Sequence, residues 1–473
     1  MTRSQGSSRD SSFQRLFEKA PQDAAPGTVR CPGPSSQDVI ARDGWAPAAL
    51  RAQRFDFPGS GDVALERYTS PRFHELEIER LWCRTWQWAC REEWIAQPGD
   101  YYVYDIDRYS VLVVRGADGL IRAFVNSCPH RAMQFVAPGE RGSGKQFLRC
   151  PFHGMSWELD GGLREIPCRW DFAHVEDSDF DLPEVPTASW GGFVFINLDA
   201  DAAPLEDHLQ VLPEHFAEFP LERRFTTLHT EKILPGNWKM CMEGFLEAYH
   251  VLATHPEGLR TSAWANTQYD LFSPHVSRFL QTLSAGNPHF GSEVSEDDLY
   301  RQLGHAEALP DGVPARNAHA DRLRETLGAQ MGVDLSATSN SQLLDSIEYH
   351  LFPNACFFPG ITIPLIYRFR PLGHDRCIHD VLLLQPLPDS GEIPAPAPVE
   401  RLDIDDTYAD SESWRGQRLG AVLDQDTDNF HRQWAGMNAS LKGSQTLANY
   451  QEARIRHFHA ALDAWLAVDG AVA

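Results

Sequence analysis

Four residues between positions 128 and 153 have the types and the spacing of a metal site. One residue separates Cys128 from His130, two separate Cys150 from His153, and nineteen separate the two pairs. Two thiolates and two imidazoles on two tight loops are the ligands of a Rieske-type [2Fe–2S] cluster, in which the cysteines hold one iron and the histidines the other. The spacing therefore predicts a one-electron carrier in this part of the chain.

The same motif is compatible with two alternatives to a cluster. A structural zinc ion also takes two cysteines and two histidines, although the spacing is not that of a usual zinc finger. The four side chains could instead lie in a core without metal. In the cluster interpretation Pro129, Pro151 and Gly154 stiffen the two loops, and Ser156 could donate a hydrogen bond to a cluster sulfur.

A second group of polar residues lies in an apolar segment that we predict to be one helix, from about residue 236 to 254. At 100° per residue, Glu243, Glu247 and His250 share one narrow stripe of it. Because the rest of the segment is apolar, we expect these acids to be buried, where a carboxylate is costly unless it is paired, hydrogen-bonded or facing a metal. The alternative is a solvated helix face.

His250 and His255 are five residues apart, and an unbroken helix would splay them by about 140°. They can converge only if the helix ends between them, which Pro256 favours because the residue before proline is pushed out of the α region. Two histidines and one carboxylate that leave open positions form the facial triad of O₂-activating non-haem Fe(II). The sequence thus indicates a second, mononuclear iron site.

The surrounding pattern predicts the elements that position these residues. Residues 71–89 read as a helix, and residues 98–197 read as short strands separated by turns, which is typical of a small all-β domain. A strand near 226–234, a long uneven stretch to about 340, strands at 346–358, 361–370 and 376–386, and a helical last third follow. This order predicts an α+β fold in which a helix lies on a curved antiparallel sheet.

Composition limits the class of protein. The formal net charge is −24 over 473 residues, which argues against nucleic acid or an anionic membrane as a partner. The sequence has no 18-residue apolar run, and residues 1–36 lack a signal-peptide pattern, so we expect a cytoplasmic protein with a flexible N-terminal tail. Nine cysteines without a framework favour metal ligands or buried thiols over disulfides.

From about Tyr68 to the C-terminus the chain resembles the α (catalytic) subunits of Rieske non-haem iron aromatic ring-hydroxylating oxygenases. Residues 243–256 closely resemble the family motif E-x-x-x-E-x-x-H-x-x-x-x-H-P. The resemblance implies that His250 and His255 bind iron and that Glu247 links this iron to a Rieske histidine across a subunit interface.

The resemblance also implies a third iron ligand far downstream, an aspartate near residue 426. We assign Asp426, because Asn429 and Gln433 follow it as they follow the family's terminal aspartate. Asp424 and Asp428 stay open as alternatives, since an acidic run before a helix is also ordinary capping.

By the same resemblance the fold is a Rieske domain plus a helix-grip catalytic domain. We expect a flexible tail at 1–44, a helical N-terminal part of the catalytic domain at 45–90, the Rieske domain at 91–205 and the catalytic domain at 206–473. Five basic residues near the cluster loops are candidates for docking an acidic electron donor, with ordinary solvated loop charges as the alternative: Arg131, Arg141, Lys145, Arg149 and Arg164.

The implied activity is hydroxylation (mono- or dioxygenation) of a small, apolar or aromatic substrate with O₂, with O- or N-demethylation as the alternative. The chain has no nucleotide-binding glycine motif, so the resemblance supplies the electron donor, an NAD(P)H-dependent reductase or a ferredoxin. It also implies a homotrimer, with or without a β subunit. Two rival hypotheses are an electron-transfer protein without catalysis and a zinc hydrolase.

Overall fold

The computed structural model describes residues 11–289 and 294–467. The N-terminal half of the chain contains a small β region. The first sheet of this region has five antiparallel strands, and two sheets of three strands flank that sheet. In sheet order the strands are Glu184–Val185, Ile121–Val125, Tyr109–Arg115, Tyr101–Ile106 and Arg141–Gly142; then Leu148–Arg149, Ser156–Trp157 and Leu163–Glu165; then Thr187–Trp190, Phe193–Ile196 and Gln87–Arg91.

The strand Tyr101–Ile106 shows how this region joins the rest of the molecule. Its side chains alternate between the two faces of the sheet, as in any strand. Tyr101 and Val103 pack into a core within the β region, whereas Tyr102 and Tyr104 pack into the large core that the β region shares with the rest of the molecule. Because both faces are covered, every residue of the strand except Asp105 is buried.

The second region is built on one sheet of eight strands. In sheet order these are Gln268–Ser273, Val276–Gln281, Ser346–Leu351, Ala355–Phe357, Leu365–Pro371, Arg376–Pro386, Arg224–Pro235 and Val399–Leu402. All neighbours are antiparallel except the last pair, which is parallel. One face of the sheet packs on the β region, where Phe357 contacts Trp190 and Phe193.

Helices cover the other face, where Phe245, in the turn after the helix Trp238–Glu243, packs on Tyr367, Phe369 and His379. The α-helices are Ser11–Gln14, Ser36–Arg42, Ala48–Arg51, Glu66–Thr69, Pro71–Glu77, Leu205–Leu209, Leu212–His215, Trp238–Glu243, Val251–Thr254, Glu296–Gln302, Ala315–Met331, Asn340–Leu344, Arg418–Thr427, Phe430–Ala439 and Ala453–Leu466. Among the described residues, no helix has the length and apolar character needed to cross a bilayer.

The helix predicted for residues 71–89 is shorter in the structure. Ser70 caps Pro71–Glu77, a π-helical turn follows at Ile78–Trp82, and Gln87–Arg91 is a strand. All five residues of this strand are buried, so it lacks the alternation that marks a half-exposed strand. The uneven stretch before residue 340 likewise contains two strands of the large sheet and the helix Ala315–Met331.

The flexible tail predicted for residues 1–44 is wrong for residues 35–43, and residues 1–10 lie outside the described part. Ser35 forms a capping box with Asp38 at the start of the helix Ser36–Arg42. Arg316 then joins Asp43 to the buried Asp345, at 2.8 Å to each carboxylate. Composition alone could not reveal these contacts, because their partners lie far away in the sequence.

Candidate metal centres

The two cysteine–histidine loops have the same backbone geometry. The amide of Cys128 donates to the carbonyl of Met133, and the amide of Cys150 donates to that of Met155, both at 2.8 Å. Ala132 and Gly154 occupy matching left-handed positions, with φ of 57° and 77°. Two equivalent tight loops therefore present the four candidate ligands.

The four side chains are arranged as a cluster of the predicted kind requires. Cys128 and Cys150 are buried and in contact with each other, and burial raises the pKa of the Cys128 thiol. The rings of His130 and His153 lie 4.8 Å apart, nearer the surface. A metal bound here would stabilise the thiolates that burial disfavours. The residues present thus fit the predicted cluster, which two buried thiols and two outward imidazoles would hold.

Ser156 supports this fit independently. Its hydroxyl is buried and has no hydrogen-bond partner within the described ranges. A buried hydroxyl without a partner is costly, and a cluster sulfur beside it would accept its hydrogen bond, as the sequence suggested.

The segment predicted as one helix from 236 to 254 is broken in the structure. A helix runs from Trp238 to Glu243, and only Val251–Thr254 is helical after it. Between them, Arg454 donates to the carbonyl of Leu246 at 2.9 Å, and Tyr269 accepts the amide of Ala248 at 3.0 Å. Distant side chains thus take up backbone groups that would otherwise bond within a helix.

The predicted end of the helix between the two histidines is present. Thr254 is the last helical residue, and His255 leaves the helical conformation with φ −123° and ψ 59° before Pro256. The rings of His250 and His255 consequently lie 5.3 Å apart. The short helix between them brings both to the same site.

Asp426 completes this site from the helix Arg418–Thr427. One of its carboxylate oxygens lies 2.9 Å from Nε2 of His255 and 3.4 Å from Nε2 of His250. Burial opposes protonation of both rings, but the pKa of each is raised, because Glu247 faces His250 and Asp426 faces His255. Two ring nitrogens and one carboxylate oxygen within 4.8 Å of one another fit a divalent metal.

The two alternative aspartates point elsewhere. The carboxylate of Asp424 accepts the backbone amides of Tyr408 and Ala409 at 2.7 and 2.8 Å, and Asp428 is exposed. On a helix, positions 424 and 426 differ by about 200°, so both cannot face the histidines.

Glu247 and Glu243 do not share a stripe, contrary to the sequence prediction. The carboxylate of Glu247 accepts both Nδ1 and the backbone amide of His250, each at 3.0 Å. Glu243 belongs to a separate buried network, where both its oxygens lie 2.9 Å from the hydroxyl of Tyr68 and one lies 2.9 Å from His459. The helix break at residue 244 separates the two acids.

Comparison with known proteins identifies the family. The model of the Rieske [2Fe-2S] domain matches residues 85–176. The model of the ring-hydroxylating α-subunit catalytic domain matches residues 214–468, more than half of the chain. The chain belongs to this ring-hydroxylating α-subunit family. The match confirms the predicted family, the α+β fold class and the two cofactors, a [2Fe–2S] cluster and a mononuclear iron.

The named relatives of this chain act on different substrates, according to their names. The oxygenase subunit of carnitine monooxygenase from Escherichia coli strain K12 is 34% identical over 196 residues, which cover 40% of this chain and 50% of that protein. The large subunit of 2-halobenzoate 1,2-dioxygenase from Burkholderia cepacia is 29% identical over 74% of this chain and 75% of that protein. The chain therefore spans about half the length of the carnitine monooxygenase subunit.

Solved structures share the fold at low sequence identity. A quaternary ammonium Rieske monooxygenase aligns with TM-score 0.62 and 16% identity, over 86% of this chain and 96% of that one. A naphthalene 1,2-dioxygenase with phenanthrene bound aligns with TM-score 0.62 and 18% identity, over 87% and 93%. Both likenesses concern the fold alone.

A second group of residues in this chain has side chains of the types that bind metals, but it forms an ion-pair network. His229, Glu231 and Asp380 place ligand atoms within 4.8 Å of one another. However, Arg370 bridges the two acids, at 3.0 Å to Glu231 and 2.9 Å to Asp380, and Arg368 adds a contact of 2.8 Å to Asp380. Because guanidinium groups already neutralise both carboxylates, this cluster does not fit a cation.

Sequence reasoning missed two residues beside the mononuclear site. Gln425, next to Asp426, places its amide oxygen 2.7 Å from Nδ1 of His255. Glu452, at the start of the last helix, lies close enough to Glu247 that the carboxylate of Glu247 contributes to raising the pKa of Glu452. Only the position of Gln425 beside a candidate ligand could have drawn attention to it.

The pKa of Glu452 is raised to about 7, first by burial and then by the nearby carboxylates Glu247 and Glu243. An unfolded chain ionises glutamate near pH 4, so the folded state binds this proton more tightly, and stability falls as the pH rises from about 4 to 7. We expect Glu452→Gln, which keeps the acceptor for the amide of Ala448, to stabilise the protein by up to about 3 kcal/mol at pH 8.

Thermal unfolding at pH 5 and pH 8 measures this effect. The gain in apparent melting temperature should be about threefold smaller at pH 5 than at pH 8, because pH 5 lies only slightly above the pKa at which the unfolded chain releases the proton that the folded state retains. An equal gain at both pH values would show that the carboxylate of Glu452 is not the cause. Glu214→Gln, at an exposed acid, is the control and should change neither value.

Proposed function

We propose that this chain is the oxygenase component of a Rieske non-haem iron system. The observation that carries the proposal is the convergence of His250 and His255 with Asp426, which lies 171 residues beyond His255, in a chain that also holds a complete cysteine–histidine ligand set. We assign the cluster to Cys128, His130, Cys150 and His153, and the mononuclear iron to His250, His255 and Asp426.

The cluster would supply electrons one at a time, and the mononuclear iron would activate O₂ beside the substrate. The protein's own residues prepare that site. Glu247 accepts a hydrogen bond from Nδ1 of His250 and so leaves Nε2 free to bind metal. We propose that the same carboxylate links His250 to a cluster histidine of a second copy of this chain.

Oxygenation of a small organic substrate is the reaction we propose, and its substrate class has two candidates. Relatives named carnitine monooxygenase and glycine betaine monooxygenase favour monooxygenation of a quaternary ammonium substrate, with N-demethylation as one candidate outcome for this chain. Relatives named as halobenzoate and chlorobenzene dioxygenases favour hydroxylation of an aromatic ring. The first group is more similar in sequence, whereas a member of the second aligns over more of the chain.

External electrons should come from an NAD(P)H-dependent reductase or a ferredoxin. Because NAD(P)H is a cytoplasmic reductant, we propose that the enzyme acts in the cytoplasm. We propose that the electron donor docks on the surface around the two cysteine–histidine loops. On this surface the guanidinium carbon of Arg131 lies 5.2 Å from the ring centre of the exposed Phe152. We propose a homotrimer, with or without a β subunit. We also propose that the helical N-terminal part of the catalytic domain spans residues 45–90, the Rieske domain 91–205 and the catalytic domain 206–473.

Anaerobic purification with iron and sulfide analysis tests the proposal, followed by O₂-uptake assays with N-methylated ammonium compounds and with substituted benzoates. We expect three irons and two sulfides per chain, since a [2Fe–2S] cluster contributes two of each. Two irons would identify an electron-transfer protein, and colourless protein with zinc would indicate the hydrolase.

A further inference from the structure

The two histidines of the mononuclear site are backed by different chemical groups. Each directs Nε2 toward Asp426 and Nδ1 away from it. Nδ1 of His250 faces the carboxylate of Glu247 at 3.0 Å, and Nδ1 of His255 faces the amide oxygen of Gln425 at 2.7 Å. One ring thus has an anionic acceptor behind it, and the other has a neutral one.

Gln425 presents the oxygen of its side-chain amide to His255, and its Oε1 atom lies 2.7 Å from Nδ1 of the ring. Gln425 and Asp426 are neighbours on the helix Arg418–Thr427. One helix therefore carries both the amide that faces Nδ1 of His255 and the carboxylate that faces Nε2.

This orientation determines the tautomer of His255. An amide oxygen accepts, so Nδ1 of His255 carries the proton and donates it to Gln425 in a hydrogen bond. The lone pair of Nε2 is then directed to the place where Asp426 and His250 converge. The hydrogen bond from His255 to Gln425 therefore prepares this ring to bind metal.

We propose that Gln425 is a positioning residue for His255, and that its neutral amide makes His255 the weaker of the two histidine ligands. The inference rests on the proposed function, because it assumes that the site binds Fe(II). A carboxylate behind an imidazole raises the basicity of the metal-binding nitrogen. Glu247 provides this effect to His250, and nothing equivalent acts on His255 among the described residues.

Three full-length variants test the inference: Gln425→Leu, Gln425→Glu, and the control Gln433→Leu at an exposed position of the next helix. Gln425→Glu keeps an oxygen behind His255 and adds the negative charge that Glu247 places behind His250. Each protein is depleted of mononuclear iron, and its affinity for added Fe(II) is measured anaerobically against a chelator of known affinity. Cluster absorbance and thermal unfolding verify the fold.

We expect Gln425→Leu to weaken Fe(II) binding by about 10- to 100-fold, Gln425→Glu to bind Fe(II) more tightly than the parent, and the control to equal the parent. Parental affinity in Gln425→Leu would overturn the positioning role. If Gln425→Leu does not fold, Gln425→Glu decides, since weaker Fe(II) binding than the parent would overturn the inference that His255 is the weaker ligand. A parent protein that binds no Fe(II) beyond its cluster would instead refute the proposed function.

Discussion

Replacing Glu247 by glutamine should leave both metal centres in place and slow coupled turnover by about 100-fold or more. This is the upper end of the loss of activity that follows when a hydrogen-bond partner of a metal ligand is replaced. Glutamine keeps the size of the side chain and an oxygen that accepts from His250, at present 3.0 Å away. The substitution removes the negative charge and one hydrogen-bond acceptor. The proposed path from His250 to a cluster histidine of a second copy requires both.

Iron and sulfide content, together with O₂ uptake coupled to product, measures this effect. Glu214→Gln, an exposed acid remote in sequence from the site, is the matched control and should keep parental turnover. Full coupled activity in Glu247→Gln would remove Glu247 from the path between the centres. Loss of mononuclear iron would show that Glu247 mainly holds His250.

The second large effect concerns Asp426. Asp426→Ala removes the oxygen that lies 2.9 Å from His255 and 3.4 Å from His250, and two histidines alone bind Fe(II) weakly. We expect the variant to keep the two irons of the cluster, to lose the mononuclear iron and to have no detectable oxygenation.

Asp428→Ala provides the matched control, because Asp428 is exposed and only two positions away. Iron analysis and the visible absorbance of the cluster distinguish the two variants. Retention of three irons in Asp426→Ala, or their loss in Asp428→Ala, would contradict the choice of ligand.

The cysteine–histidine motif shows what local sequence can predict. The two residues of each pair are separated by one or two positions, so a tight loop alone brings them together. The structure accordingly gives both loops the same hydrogen bonds, from Cys128 to Met133 and from Cys150 to Met155. Only the approach of one loop to the other depends on the sheets beneath them.

The choice among three aspartates shows the opposite case. Asp424, Asp426 and Asp428 are similar in type and neighbourhood, and only the resemblance to a family favoured the middle one. Their roles depend on how the helix Arg418–Thr427 is rotated about its axis. That rotation is set by packing against residues far away in the sequence, and it places Asp424 on the amides of Tyr408 and Ala409.

The sequence by itself determined the ligand types, the α+β class and the end of the helix before His255, because spacing, composition and Pro256 act locally. Only the tertiary structure decided the earlier helix break after Glu243, the separate surroundings of Glu243 and Glu247, and the docking of residues 35–43. The physical reason is the same in each case. A backbone carbonyl or buried charge takes whichever partner folding brings near, and here the partners of Leu246 and Asp43 are Arg454 and Arg316, more than 200 residues away.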